Sequence, residues 1–470
     1  RRERTNIALD MHGDKIGQHH GAHQTLVVAT QVLGILHDGQ CAGNALIARA
    51  AHNGDRQRAT ESLQQEDGTY VRSYPNGNLA AHVVGYVSQQ YGTTAIESVM
   101  NDTLTGSKDY SSWNNAIASL AGQTQPGNTA KLTIDSRIQT AAEQALKGFK
   151  GAVVVIDPRT GAVLACASSP TYDNTNIDAL LQTGGGEDGS MYNRAMDALY
   201  TPGSTFKVVT LSAALETGTA SLTSTYQAPG SMDIGNAPVT NYANESYGTI
   251  SLQQAFAVSS NVVFGQVANE VGANTLVQFA NAFGYGQKLG QDLTSAASIM
   301  ADPSLMTEWE TAWAGAGQPV GMDHTPGPQT TVMQNAVIAA AIANSGVVMD
   351  PYFVAQVLAP DGTVVKTTQS RSLGQAVSSA TADQVKQAML AVVQSGTGTD
   401  AQIPGVKVAG KTGSAEIGGT NVNSMFVGFA PYDSPTVAIS VALEDYDKHD
   451  VKAAKIAGIV LTAALAAQGA

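Results

Sequence analysis

Three short stretches of this 470-residue chain hold residue types that can do chemistry together. The first is YTPGSTFKVVTL, Tyr200 to Leu211, in which Ser204 and Lys207 stand three positions apart. Pro202 and Gly203 turn the backbone, and a helix-forming run follows to Leu215, with Gly218 as its stop. Ser204 is therefore expected at a helix N-terminus, with Lys207 one turn on and facing the same way. Free N–H groups and the helix dipole at such a position favour an anion forming beside the hydroxyl. Lys207, crowded by Phe206 and Val208, can be held partly neutral and take the serine proton. Alone, the pattern carries little weight: a chain of this size contains about one S-x-x-K by chance, and a serine capping a helix looks the same.

The second stretch, Ser259-Ser260-Asn261, lies between two helical runs, SLQQAFAV and NVVFGQVANEV, and reads as a loop that can face a cleft. The third, Lys411-Thr412-Gly413-Ser414, ends an apolar run, VKVAG, that reads as a strand. Ser-x-x-Lys, Ser-x-Asn and Lys-Thr-Gly in this order are the signature set of the penicillin-interacting serine enzymes. With these residues the sequence resembles the monofunctional (class B) penicillin-binding protein transpeptidases. Two further segments carry the resemblance. DGTYVRSYPNGNLAAHVVGYVSQQYGTTAIESVMNDTLTG, from Asp67, is similar to the part that precedes the catalytic domain, and its Tyr-Pro and Ala-His-Val pattern is most similar to the penicillin-binding protein A group of actinobacteria. GAGQPV, TPGPQTTVMQNAVIAAAIANSG and PYFV, between Gly315 and Val354, resemble the family's middle, with extra residues after Gln318 and a variant Gln334-Asn335-Ala336.

The elements that must position these motifs follow from the pattern. LTID, a helix over Ser136–Leu146 and a hairpin open the catalytic part; GAVVVID and AVLACASS flank the turn Pro158-Arg159-Thr160-Gly161. At the far end the strand with Lys411 is followed by MFVGFAP, a turn at Asp433-Ser434-Pro435, TVAISVALE and a closing helix, Val451 to Ala467. Two early strands and three late ones imply an α+β fold: a five-stranded antiparallel sheet flanked by helices, with a mostly helical insertion that carries Ser204 and Ser259. Because the motifs come from different layers, the site is expected between the sheet edge and the helical part. The Ala-rich helix of the middle segment is read as core, not site.

The resemblance implies acyl transfer. Ser204 would attack the carbonyl between the last two D-alanines of a peptidoglycan stem peptide, with Lys207 as the favoured base, a disputed role in this class. The backbone N–H groups of Ser204 and Ser414 would form the oxyanion hole. Ser259 would pass the proton to the departing D-alanine, with Lys207 and Lys411 shaping its acidity, and Asn261 would hold the stem-peptide amide. Lys411, Thr412 and Ser414 would bind the terminal carboxylate, a charge-assisted match, and Gly413 would leave room for the substrate backbone. β-Lactam antibiotics would enter as mimics of the D-Ala-D-Ala end. No metal or organic cofactor is called for, and His324 and His449 belong to no motif. A glycosyltransferase of the elongation or division machinery is the protein partner implied, and the extracytoplasmic face of the bacterial membrane the location.

Other readings share the motifs. A serine β-lactamase needs a group that activates water for deacylation; Glu270 follows Asn261 by only nine residues in the same helical run, while Glu308 and Glu310 stay open as candidates. A D,D-carboxypeptidase would use water in place of the acceptor amine. A β-lactam sensor or a division scaffold would be the non-enzymatic choice, but all of Ser204, Lys207, Ser259, Asn261 and Lys411 are present.

Bulk properties bound the rest. Charged residues make up 13% and hydrophobic ones 43%, as in a globular protein of two or three domains. A net charge of −13 argues against nucleic acid and against a basic membrane-binding surface. The longest apolar candidate, Thr25 to Leu36, includes Gln31 and is too short to span a bilayer. Cys41 and Cys166 fall in different segments, and Cys166 reads as a buried free thiol in a strand. His82, on a helix expected over Leu79–Val84, reads as structural.

Residues 1–62 stand apart from the remainder of the N-terminal non-catalytic domain, 63–128, and the catalytic domain, 129–470. They hold six of the nine histidines (His12, His19, His20, His23, His37, His52), no Pro, Phe, Tyr or Trp, and none of the family's usual opening patterns. A misread start, a divergent replacement or poorly ordered sequence is expected there, ahead of a metal site at His19, His20 and His23.

Overall fold

The computed structural model describes residues 27–32, 44–47, 50–52, 55–57, 59–64, 70–104, 128–186, 188–418, 421–447 and 452–469. Of the segment set apart as 1–62, the described stretches are short strands; His19, His20, His23 and Cys41 lie outside the described residues.

The catalytic part is built on one antiparallel sheet. Its elements are helix α1 (Ser136–Ala145), strands β1 (Gly151–Ile156) and β2 (Val163–Ser169), helices α2 (Lys207–Glu216), α3 (Leu252–Ala257), α4 (Asn261–Val271), α5 (Glu308–Ala316), α6 (Val332–Ala343) and α7 (Ser379–Ser395), strands β3 (Ala409–Gly418), β4 (Asn421–Ala430) and β5 (Val437–Asp447), and helix α8 (Ala453–Gln468). The sheet order is β2-β1-β5-β4-β3, every pair antiparallel, with β3 at an edge. This is the five-stranded sheet expected, two early strands and three late ones, with α2 to α7 inserted between them.

Both faces of this sheet are covered, which explains its unbroken apolar strands. In β1, Val153 and Val155 enter the core shared with Ile138 of α1 and with Ile456, Val460 and Leu461 of α8. Their neighbours Ala152, Val154 and Ile156 enter the opposite core, with Met333 and Val337 of α6 and Val208 and Leu211 of α2. The two-residue period of a strand sends alternate residues to different cores. Helix α6 is buried along its whole length, as its Ala-rich sequence suggests. Cys166 of β2 is a buried free thiol.

The helix starts are fixed by side chains. Asp135 accepts from the N–H groups of Arg137 and Ile138 to begin α1, Ser251 and Gln254 form a reciprocal cap on α3, and Ser260 accepts from Val263 N to begin α4.

A second five-stranded antiparallel sheet runs Val364–Thr367, Val354–Leu358, Thr129–Leu132, Val27–Val32, Asn44–Ile47, so strands from before and within the catalytic part share it. The expected amphipathic helix over Leu79–Val84 is shorter and different in kind. It spans Ala81–Val84, and all four residues are buried against the catalytic part. Its flanks are fastened there: Glu143 accepts from Ala80 N at 2.8 Å, Tyr172 donates to Ala81 O at 3.0 Å and His82 Nε2 meets Ser190 O at 2.8 Å. Burial pushes the His82 imidazole down to about 4, and its ring packs edge-on against Tyr172, so its role is structural. Two short helices, Ala95–Val99 and Asn101–Leu104, follow this one.

Candidate active site

Ser204 sits in a single 3₁₀ turn, Gly203–Phe206, that runs directly into α2 at Lys207. The turn is held from several sides. Tyr200 pairs its backbone with Thr330, N to O at 2.8 Å in both directions, and its hydroxyl donates to Glu444 Oε1 at 2.7 Å. Arg194 donates to the same carboxylate oxygen at 3.0 Å, so Glu444 of β5 ties the sheet to the approach to the nucleophile. Gly203 has φ +52°, and a Cβ there would stand 2.5 Å from Ser414 O. Only glycine allows that backbone to lie against β3.

Gly413 has a related purpose: a Cβ there would meet Pro202 O at 2.8 Å and Thr205 Cγ2 at 2.9 Å. The missing side chain lets strand β3 press against the turn that carries Ser204.

Lys207 is fully buried. Its Nζ lies 2.9 Å from Ser204 Oγ, 2.7 Å from Ser259 O, 2.7 Å from Asn261 Oδ1 and 3.3 Å from Ser259 Oγ. Burial, and then the charge of Lys411, hold its pKa well below the usual lysine value. Donor and acceptor chemistry then fixes the arrangement. The carbonyl of Ser259 and the amide oxygen of Asn261 can only accept, whereas the two hydroxyls can donate. A neutral Lys207 spends N–H donors on Ser259 O and Asn261 Oδ1 and can aim its lone pair at Ser204. The amide orientation of Asn261 is fixed as well, because Nδ2 donates to Thr240 O at 2.9 Å.

Ser259 is the strained residue of the site, with φ +64°, in the left-handed region that non-glycine residues seldom adopt. Its carbonyl reaches Lys207 and its hydroxyl receives from Lys411 Nζ at 2.9 Å.

Lys411 meets Ser259, whose acidity it is expected to shape. It is fully buried behind Ser259, donating to Ser259 Oγ and to Thr412 O at 2.9 Å, and burial brings it down to about 7. Its cation therefore stands behind the cleft wall, over the Phe256 ring at 5.6 Å, rather than beside Thr412 and Ser414 on the cleft surface. The strand it belongs to begins at Ala409, where the apolar run read as the strand ends.

In front of these groups lies a cleft of about 1050 Å³ between edge strand β3, the α3–α4 loop and α5. Ser204, Ser259, Asn261, Thr412, Gly413 and Ser414 line it, as the order of the motifs implied. Sequence reasoning missed the far wall, where Tyr242, Tyr247, Trp309 and Trp313 line the same cleft. It also missed Thr397, whose hydroxyl is 2.6 Å from that of Thr412. The Trp309–Trp313 pair, four apart on a helix with its rings edge to face, was a readable signal. Glu245 is the single carboxylate among the described lining residues. Glu270 instead accepts from Tyr226, and Glu310 caps α5 through Thr307. Among the described residues no group of His, Cys, Asp or Glu could hold a metal ion, and no helix is long and apolar enough to cross a membrane.

Residues 151–464 match the penicillin binding protein transpeptidase domain, and residues 51–130 match the penicillin binding protein A dimerisation domain. Peptidoglycan D,D-transpeptidase PbpA of Mycobacterium tuberculosis is 33% identical over 403 residues, which cover 80% of this chain and 79% of that protein. PbpA of Mycolicibacterium smegmatis is 32% identical over 400 residues, with the same coverage. Among solved structures, the D,D-transpeptidase domain of a peptidoglycan glycosyltransferase from Eggerthella lenta is 42% identical with a TM-score of 0.80, covering 88% of this chain and 97% of that one. The imipenem acyl-enzyme complex of penicillin-binding protein A from M. tuberculosis is 32% identical with a TM-score of 0.79, covering 88% and 97%. With the three motifs gathered at one cleft, and a family match over two thirds of its length, the chain belongs to the penicillin-binding protein transpeptidases.

Proposed function

We propose that this protein is a peptidoglycan D,D-transpeptidase that works through an acyl-enzyme on Ser204 and is inhibited covalently by penicillin at the same residue. The observation that carries this reading is the 2.9 Å contact between Lys207 Nζ and Ser204 Oγ, made by a lysine whose burial disfavours its charge. Neutral Lys207 takes the Ser204 proton as Oγ attacks the D-alanyl carbonyl; the C–N bond to the last D-alanine breaks, and its nitrogen receives a proton through Ser259. The N–H groups of Ser204 and Ser414 stabilise the oxyanion. Asn261 orients Lys207 and holds the stem-peptide amide, and Thr412 and Ser414 take the terminal carboxylate with Lys411 acting through Ser259. An amine of a second stem peptide then attacks the ester, forming the new amide and returning the proton to Ser204.

Penicillin-binding protein A from M. tuberculosis, solved as imipenem, ceftriaxone and penicillin G acyl-enzyme complexes, supports a covalent serine ester. Glu270, Glu308 and Glu310 do not line the cleft, and Glu245, which does, accepts from the Tyr247 hydroxyl. The site's work requires the extracytoplasmic face of the membrane, where stem peptides are joined, and a glycosyltransferase to supply the strands. Intact-mass measurement after brief exposure to penicillin tests the proposal. A lasting adduct on the parent and none on Ser204→Ala supports it. Rapid penicillin hydrolysis without an adduct means a β-lactamase, and a folded protein that does neither means a scaffold.

A further inference from the structure

The strained conformation of Ser259 needs something to hold it, and its own segment supplies only part of this. Ser259 N donates to Phe256 O at 3.2 Å and Ser260 N to Ala255 O at 2.9 Å, both within the end of α3. Besides Lys207 and Lys411, which bond Ser259 directly, further anchors come from a residue outside every motif. Asn241, at the end of the hairpin Ser231–Ile234/Ala237–Thr240, is buried and uses both ends of its side chain. Its amide oxygen accepts from Ser260 Oγ at 2.9 Å and from Val262 N at 3.1 Å. Its amide nitrogen donates to Pro229 O at 3.1 Å and to Glu245 O at 2.9 Å. The two carbonyls can only accept and Val262 N can only donate, so the amide has one possible orientation.

These bonds bracket the motif. Asn241 grips Ser260 and Val262, the residues before and after Asn261, while Asn261 itself is bonded to Thr240 O, the neighbouring carbonyl on the same hairpin. The peptide between Ser259 and Ser260, whose carbonyl accepts from Lys207, is thus fixed from the far side of the cleft.

We propose that Asn241 is a positioning residue for acyl transfer: it clamps the Ser259-Ser260-Asn261 loop so that the Ser259 carbonyl and hydroxyl and the Asn261 amide meet Lys207. The proposal rests on the Ser204 acyl-enzyme reading. Asn241→Ala leaves Val262 N and Ser260 Oγ without their buried acceptor and frees the loop to relax out of the left-handed conformation. The step to suffer is acylation itself, not the first binding of the β-lactam, because the cleft-lining groups other than the Asn241 side chain remain.

The test is the concentration dependence of acylation by penicillin, which separates the rate constant of the covalent step from the preceding dissociation constant. Asn241→Ala is expected to lower the covalent rate constant about 10- to 100-fold, with the dissociation constant changed less than about threefold. Ser260→Ala, which removes one donor to Asn241 and the cap on Val263 N but leaves the hairpin intact, is expected to lower the same constant less. In a Ser259→Ala background, which removes the hydroxyl but keeps the Ser259 carbonyl and the Asn261 amide, Asn241→Ala is expected to cost less than it does alone. A full additional loss in that background, or a folded Asn241→Ala and Ser260→Ala that acylate like the parent, overturns the proposal. A parent that forms no adduct overturns instead the acyl-enzyme reading beneath it.

Discussion

Lys207 Nζ lies 2.9 Å from Ser204 Oγ and 2.7 Å from Asn261 Oδ1, so one buried amine joins the first and second motifs. The arrangement assigns it the proton, because nothing else within hydrogen-bond distance of Ser204 Oγ among the described residues is a base. Lys207→Ala is expected to slow penicillin acylation by about 100- to 10,000-fold, the range general-base removal produces, while the fold persists. Stopped-flow acylation with circular dichroism on the same sample checks this. Acylation within tenfold of the parent would assign the proton elsewhere.

The second lysine controls the first. The charge of Lys411 is one of the two causes that hold Lys207 down, and Lys411 itself loses its proton near 7. Acylation requires neutral Lys207, so the rate falls as pH drops through the Lys207 pKa. Lys411→Met removes the positive neighbour, raises that pKa, and is expected to move the acid limb of the rate–pH profile to higher pH, besides lowering its plateau. A limb that stays in place would mean that burial alone sets Lys207.

Strand β3 presses on the nucleophile's turn because position 413 has no side chain. A methyl there would meet Pro202 O at 2.8 Å and Thr205 Cγ2 at 2.9 Å, and both neighbours belong to the turn itself. Gly413→Ala is expected to cost about 1–3 kcal/mol of stability by overpacking and to slow acylation at least tenfold, since Ser204 and Ser414 are driven apart. A melting curve and acylation kinetics measure the two effects. Unchanged acylation would show that the close approach is not needed.

How much of this was legible follows from what each residue depends on. Strands β1 and β5 were readable because both faces are buried, leaving runs such as GAVVVI that fit little else. The Ser204 turn was readable from Pro202 and Gly203. The strand carrying Lys411 was found but misplaced by a few residues, since its apolar approach looks more like a strand than KTGSAE, whose polarity reflects an edge facing a cleft. Lys411 was given to the substrate carboxylate because a lysine beside two hydroxyls suggests an exposed anion site. Its direction depends on Ser259, 152 positions away, which no local pattern encodes. Asn241 was invisible for the same reason, as one polar residue at the end of a hairpin like many others. Its meaning appears only when α4 is packed against it.

The contact between the Ala81–Val84 helix and the catalytic part carries two opposed titrations, and the pH dependence of stability separates them. Burial raises the Glu143 carboxyl to about 7, against the hydrogen bonds it accepts from Gln139 and Ala80 N. Between the ordinary carboxylate range and 7 the folded protein holds a proton that the unfolded chain has released. Stability from this group is therefore full at acid pH and lost as pH rises through 7. His82 runs the other way: lowered to about 4, its contribution is full above the ordinary histidine value and lost as pH falls through 4. Glu143→Gln keeps an oxygen for Ala80 N and carries no charge. It is expected to stabilise the protein by roughly 1–3 kcal/mol at pH 8 and by little at pH 4.5. Urea unfolding at the two pH values measures this, and an equal effect at both would mean that the Glu143 charge is not what the contact resists.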